Sequence, residues 1–230
     1  MPAPRTAAAP TAVPSGSWFN RALYAFALVG WELVLLLVEP VALGSRDGWG
    51  TTELVVHLVA TALGWTVGAA VLVRMTGGVT ALTADREPGR PGPARWLLLV
   101  ALVAACTGTR WLLRGELQVV GEVAALTADH GSWAWLVLVG QGLYYLAEVA
   151  VLVLIIVFGQ RAGDARTGRP AVPWGGLVLA GTWGLVHVLL QGPAGGAYAM
   201  AAAVAYGAVH LAGGRDPRLT AALVAVAFIV

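Results

Sequence analysis

Ten polar side chains, eight of them able to hold charge or move a proton, fall inside or beside otherwise apolar segments: Glu32, Glu39, His57, Arg110, Gln141, Tyr144, Glu148, His187, Gln191 and His210. Carboxylates and imidazoles at such depth are costly, and they face a bundle interior or a wet cavity. Glu32 and Glu148 fall deepest in their segments, so each needs a partner. His187 stands four residues from both Trp183 and Gln191, on one helix face. Glu39 and Glu53 lie near segment ends, where solvation is the simpler reading. Arg110 and Arg114 can extend outward to water or pair with Glu39. His57 and His210 read either as hydrogen-bonded core histidines or as ligands.

The elements that must position these groups are long apolar helices. Hydrophobic residues are 58% of the 230, and charged residues only 11%, against about 25% in soluble domains. A bilayer core of about 30 Å needs roughly 20 apolar residues per helix. The expected fold is all-α: a polytopic transmembrane helix bundle of six full spans plus a short seventh apolar helix. The spans are expected at about 18–43, 52–75, 94–113, 133–158, 173–191 and 194–211, with the short piece at 219–230. Residues 1–17 are Pro/Ala/Ser-rich and read as a disordered cytoplasmic tail, not as a cleavable signal. Residues 18–230 then form one transmembrane domain. The mixed stretch 114–131 reads as a helix lying on the surface.

All 14 basic residues are arginine. With the N-terminus inside, eleven of them fall on inner segments and only Arg46, Arg110 and Arg114 on outer ones, so a cytoplasmic N-terminus in a multi-pass plasma-membrane protein is expected. Trp18, Trp49, Trp96, Trp133, Trp135 and Trp174 sit near span ends, where indole favours the interface. Small residues recur at helical spacing, Gly64/Gly68 and Ala199/Ala203/Gly207, which suits close helix packing within the bundle.

The absence of lysine excludes a retinal Schiff base and a phosphate-loop lysine. The single cysteine, Cys106, excludes an intramolecular disulfide. A net charge of +2 gives no reason to expect nucleic acid.

Residues seven or eleven apart share a helix face, and on that rule each span carries one polar stripe. Arg21, Glu32 and Glu39 form the first. Glu53, His57 and Thr61 form the second, and Cys106, Arg110 and Arg114 the third. Gln141, Tyr144, Tyr145 and Glu148 follow, then Trp183, His187 and Gln191, then Tyr206 and His210. By helix rise, His57 and His187 lie roughly 8 Å below the outer ends of their spans. A polar pocket in the outer half is expected, walled by Glu32, Glu39, His57, Arg110, Gln141, Tyr144, His187 and Gln191.

The stretch from Tyr144 onward resembles the CAAX-protease and bacteriocin-processing (CPBP, or Abi) family of intramembrane proteases. In that family one helix carries EExxxR, a later one FxxxH, and a third a histidine followed by Asn or Asp. Tyr144-Tyr145-Leu146-Ala147-Glu148 supplies the second glutamate, with Ala147 at the first and Leu152 at the arginine. Trp183-Gly184-Leu185-Val186-His187 reads as WxxxH. The third motif has no counterpart in 219–230, and His210 falls one helix early. The resemblance covers the last 90 or so residues and implies Glu148 as general base for a water, with His187 orienting it or stabilising the oxyanion. If the chain forms a hairpin at Pro193, His187 lies about 9 Å from the turn and His210 about 25 Å, too far apart to share a metal.

Three functions follow as expectations. One is a CPBP-like membrane protein, catalytic or degenerate, acting on a membrane peptide or holding a partner membrane protein. Another is a small-molecule or proton-coupled transporter or binding protein using the outer pocket. The third is a structural membrane subunit. The cofactor is unknown; His187 and His210 are the candidate metal ligands, and His57 with His187 the candidate heme ligands.

Overall fold

The computed structural model describes residues 15–230, which form helices and no strand. Most of the expected tail thus lies outside the described residues, but Ser15, Gly16 and Ser17 already belong to the first helix. In chain order the helices are α1 (Ser15–Leu43), α2 (Thr51–Met75), α3 (Gly78–Leu82), α4 (Pro93–Arg114) and α5 (Gln118–His130), followed by α6 (Ala134–Thr167), α7 (Trp174–Leu179), α8 (Leu185–Ala212) and α9 (Pro217–Ile229). A π-helical turn, Ala180–Gly184, joins α7 to α8 without a break.

Local chemistry sets the boundaries. The Glu53 carboxylate accepts from the Gly50 N–H at 3.0 Å, closing the first turn of α2. Pro93 opens α4 and Gly115, at φ 81°, ends it. Asp216 accepts from the Arg218 N–H at 2.9 Å and Pro217 follows it at the start of α9. Within α8, Gly192 has φ 76° and ψ 179°, and Pro193 follows. The chain reverses there: a Cβ on Gly196 would meet Val188, one on Gly184 would meet Met200, and one on Gly176 would meet Ala203 and Val204. The stretch Trp174–Ala212 is therefore a tight antiparallel hairpin whose arms approach through glycine.

Five helical stretches are long and apolar enough to cross a membrane, and this hairpin counts as one of them. The centre of the bundle is α6. Every residue from Val151 to Gly159 is buried, as expected for a helix apolar all round, and burial continues through Gln160 and Arg161, which bond the Val172 carbonyl and Asp85. It packs against α1, α2, α7 and α9. The outer helices instead expose large apolar side chains, such as Leu37, Val41, Leu97 and Leu189. Gly64 and Gly68 of α2 receive Trp31 and Leu28 of α1, so this small-residue ridge packs within the chain.

The mixed stretch expected as a surface helix forms α5, of which only Gln118 is buried. The start of α5 folds back into the bundle, where the Gln118 N–H donates to the Val230 carbonyl at 3.0 Å and the Gln118 side chain donates to the Tyr145 hydroxyl at 2.7 Å. Also, α6 continues nine residues past the expected end at Phe158, to Thr167. This tail of α6 meets charged partners: Asp164 takes Arg215 at 2.6 Å.

Candidate functional site

A cavity of about 380 Å³ lies in the half of the bundle that holds the α1–α2 loop and the end of α4. Its deep wall holds buried Glu148, Trp183 and Tyr206, and its mouth holds exposed Arg46, Arg114 and Gln191. It therefore opens at that end. Ligand sites typically measure about 300–1,000 Å³.

The π-helical turn positions the deepest group. Such turns insert one residue and re-aim the side chains around it. Trp183 sits in this turn and donates its indole N–H to Glu148 Oε1 at 2.8 Å. One turn on, His187 Nδ1 lies 2.8 Å from the Trp183 carbonyl. A carbonyl only accepts, so Nδ1 carries the hydrogen and Nε2 is left for another partner. The His187 and Trp183 rings lie 4.2 Å apart. Glu148 and His187 thus line one cavity, but they share no ion pair within 4.0 Å among the described residues. Both are instead tied to Trp183.

A second set climbs the α1–α2 side. Tyr144 donates to Glu32 Oε2 at 3.0 Å, and its ring packs on Trp65 at 4.8 Å. Glu32 Oε1 lies 3.7 Å from His57 Nε2, and His57 Nδ1 lies 2.7 Å from Glu39 Oε2. His57 is 2% exposed. A carboxylate–imidazole–carboxylate–phenol chain therefore runs from α1 through α2 to α6. Glu39 is the exception to the sequence expectation. It is buried and does not line the cavity; it stands behind His57, and its Oε1 has no hydrogen-bond partner among the described residues.

The three arginines on the cavity behave differently from its carboxylates. Arg110 donates to the Phe228 carbonyl at 2.8 Å, in the last turn of α9, where a cation is favoured by exposed carbonyls. It does not reach Glu39. None of Arg46, Arg110 and Arg114 forms an ion pair within 4.0 Å among the described residues. Glu122 on α5 is held by the Tyr145 hydroxyl and, at 2.6 Å, by the Gln118 amide.

Of the residues singled out from the sequence, the structure brings Glu32, His57, Arg110, Gln141, Tyr144, Glu148, His187 and Gln191 onto this one cavity. His210 is not among them. It lies buried at the other end of the bundle, its Nδ1 2.9 Å from Thr220 Oγ1, so His187 and His210 cannot bind one metal. Among the described residues no cluster of three or more His, Cys, Asp or Glu could hold a metal ion. Both nitrogens of His57 face carboxylates, which leaves none for heme iron. Sequence reading missed Gln118, Glu122, Phe228 and Arg46. The glutamine and glutamate four apart in the mixed stretch 114–131 were the available signal, since that spacing puts both on one helix face.

The chain was compared with family models, with curated proteins and with solved structures, and it matches none of them.

Proposed function

We propose that this protein is a multi-pass plasma-membrane binding or transport protein that takes a small polar solute into a cavity facing away from the cytoplasm. Six crossings are proposed: α1, α2, α4, α6 and the two arms of the 174–212 hairpin. The 13 residues of α9 rise about 20 Å from the inner end and stop inside the bundle. Arginine counting supports an inner N-terminus. The carrying observation is the convergence of acidic, basic and imidazole side chains from α1, α2, α4, α6 and the hairpin on one open cavity. Isolated charges at such depth are expensive, and a solute-filled cavity gives them a use that helix packing alone does not. The Glu39–His57–Glu32–Tyr144 chain suits proton coupling.

The test is labelling of Gln141→Cys, in a Cys106→Ala background, with a membrane-impermeant maleimide on oriented cells. Labelling from the outer face is expected. Labelling from the cytoplasmic face alone, or from neither face, would remove the outward pocket.

A second reading, hydrolysis of a membrane peptide as the CPBP resemblance implies, draws on the shared cavity of Glu148 and His187. It expects Glu148→Gln to abolish cleavage in membranes containing a peptide substrate; unchanged cleavage would end that assignment. The direct Trp183–Glu148 bond favours binding over base chemistry, because the indole already occupies one carboxylate oxygen.

A further inference from the structure

We infer that the solute is an organic anion, a carboxylate or phosphate carrying an aromatic or apolar body, held by Arg110 with Arg114 and Arg46 at the mouth. The inference rests on the binding reading above and names the ligand class of the same cavity.

The argument is a count of donors and acceptors. The three glutamates on the wall each already hold a neutral donor. Glu32 takes the Tyr144 hydroxyl, Glu122 takes Gln118 and Tyr145, and Glu148 takes the Trp183 indole. The arginines are in the opposite state. A guanidinium has five N–H donors and no acceptor, and Arg110 directs one hydrogen bond to Phe228. Arg46 and Arg114 make no side-chain hydrogen bond among those the described residues form, although the Arg46 guanidinium lies 5.6 Å from the Trp49 ring. Among the described residues the cavity therefore offers guanidinium donors with no carboxylate partner, while one oxygen of each wall glutamate already takes a side-chain donor. Planar, bidentate recognition of carboxylate or phosphate is what arginine does best. A cationic ligand would have to compete with the phenol, amide and indole donors already on the glutamates, whereas an anion meets guanidinium donors that no carboxylate holds. Deeper in, Trp183, Tyr206 and Phe228 supply aromatic surface for an apolar body.

The anionic group can come from a free solute or from a phospholipid headgroup. The test uses the full chain in phosphatidylcholine nanodiscs and four probes of one shape: benzoate, phenyl phosphate, neutral benzamide and cationic benzylammonium. Calorimetric titration is expected to detect benzoate or phenyl phosphate, with the other two at least tenfold weaker. Arg110→Gln is expected to weaken the bound anion by roughly tenfold or more, the loss of one charge-assisted contact. Arg114→Gln, at an exposed position, should weaken it several-fold without touching the α9 contact, which separates binding from folding. Repeating the titration in discs containing phosphatidylglycerol distinguishes the sources, because a headgroup ligand would compete with benzoate. Equal or tighter binding of benzamide or benzylammonium would overturn the anion assignment and leave the pocket reading intact. Binding of none of the four would also overturn it, and outer-face labelling of Gln141→Cys then decides whether the wider reading falls too.

Discussion

His57 shows how a buried polar group is held in this bundle. It is fixed from both sides by carboxylates of α1, Glu39 at 2.7 Å and Glu32 at 3.7 Å. Removing the ring leaves Glu39 without its side-chain partner and Glu32 with Tyr144 alone, and an orphaned buried charge is the costly state. We expect His57→Leu to destabilise the protein by roughly 2–4 kcal/mol and Glu39→Gln by about 1–2 kcal/mol, since Glu39 Oε1 is unpartnered already. Detergent unfolding of the two single variants and the double variant checks this: the pair should be coupled by at least ~0.5 kcal/mol. Strict additivity would mean that the imidazole and carboxylate do not act together. The types of these residues were visible in the sequence. Their pairing was not, because Glu39 lies near the end of its span and invites a solvated reading, and only the α1–α2 packing brings His57 onto it.

At the scale of elements, the 174–212 hairpin places Trp183 and His187 on the cavity. Its arms meet at Gly176 and Gly207 without any side chain between them; a Cβ on Gly176 would come within 2.9 Å of Val204 backbone atoms and 2.8 Å of the Ala203 carbonyl. Gly176→Leu is expected to force the arms apart at a cost of about 1–3 kcal/mol or more. Gly181 lies five residues along the same arm with nothing within 4 Å of its would-be Cβ, so Gly181→Ala should leave the thermal midpoint close to that of the parent. If both variants behave alike, the close approach does not hold the hairpin. The proline and small-residue spacing announced this turn. The π-helical turn that swings Trp183 onto Glu148 had no such signal, because one extra residue per turn leaves the apolar pattern almost unchanged.

Across the whole molecule the two ends are built differently. The cavity end is open, and its arginines form no ion pair among the described residues. The opposite end is closed by a set of ion pairs: Arg161 with Asp85 at 2.5 Å, Arg86 with Asp216 at 3.0 Å, and Arg215 with Asp164. Arg161 is the deepest of them. It also donates to the Ala81 carbonyl at 2.6 Å, and it lies over the Trp18 ring at 4.7 Å, with Arg21 over the same ring at 4.3 Å. It thereby joins α1, the α3 loop and α6. Arg161→Gln is expected to lower stability by roughly 2–3 kcal/mol and to raise proteolytic nicking between residues 83 and 92. Arg161→Lys should recover only part of this, because an ammonium lacks the planar fork. Unchanged nicking would show that this end is held by its apolar contacts alone.

Composition and spacing by themselves determined that the chain is helical, where its apolar stretches begin and break, and that each carries one polar stripe. These follow from local chemistry: hydrophobic length, glycine and proline at turns, and the 3.6-residue repeat that sets which residues share a face. Tertiary structure decided the rest. It turned separate stripes toward one another, put Glu148 and His187 on either side of Trp183 instead of in contact, and sent His210 to the far end with Thr220. It also brought α5 and the last turn of α9 onto the cavity. Such pairings depend on how rigid helices cross and how closely glycine lets them approach, and no residue's neighbours along the chain carry that information.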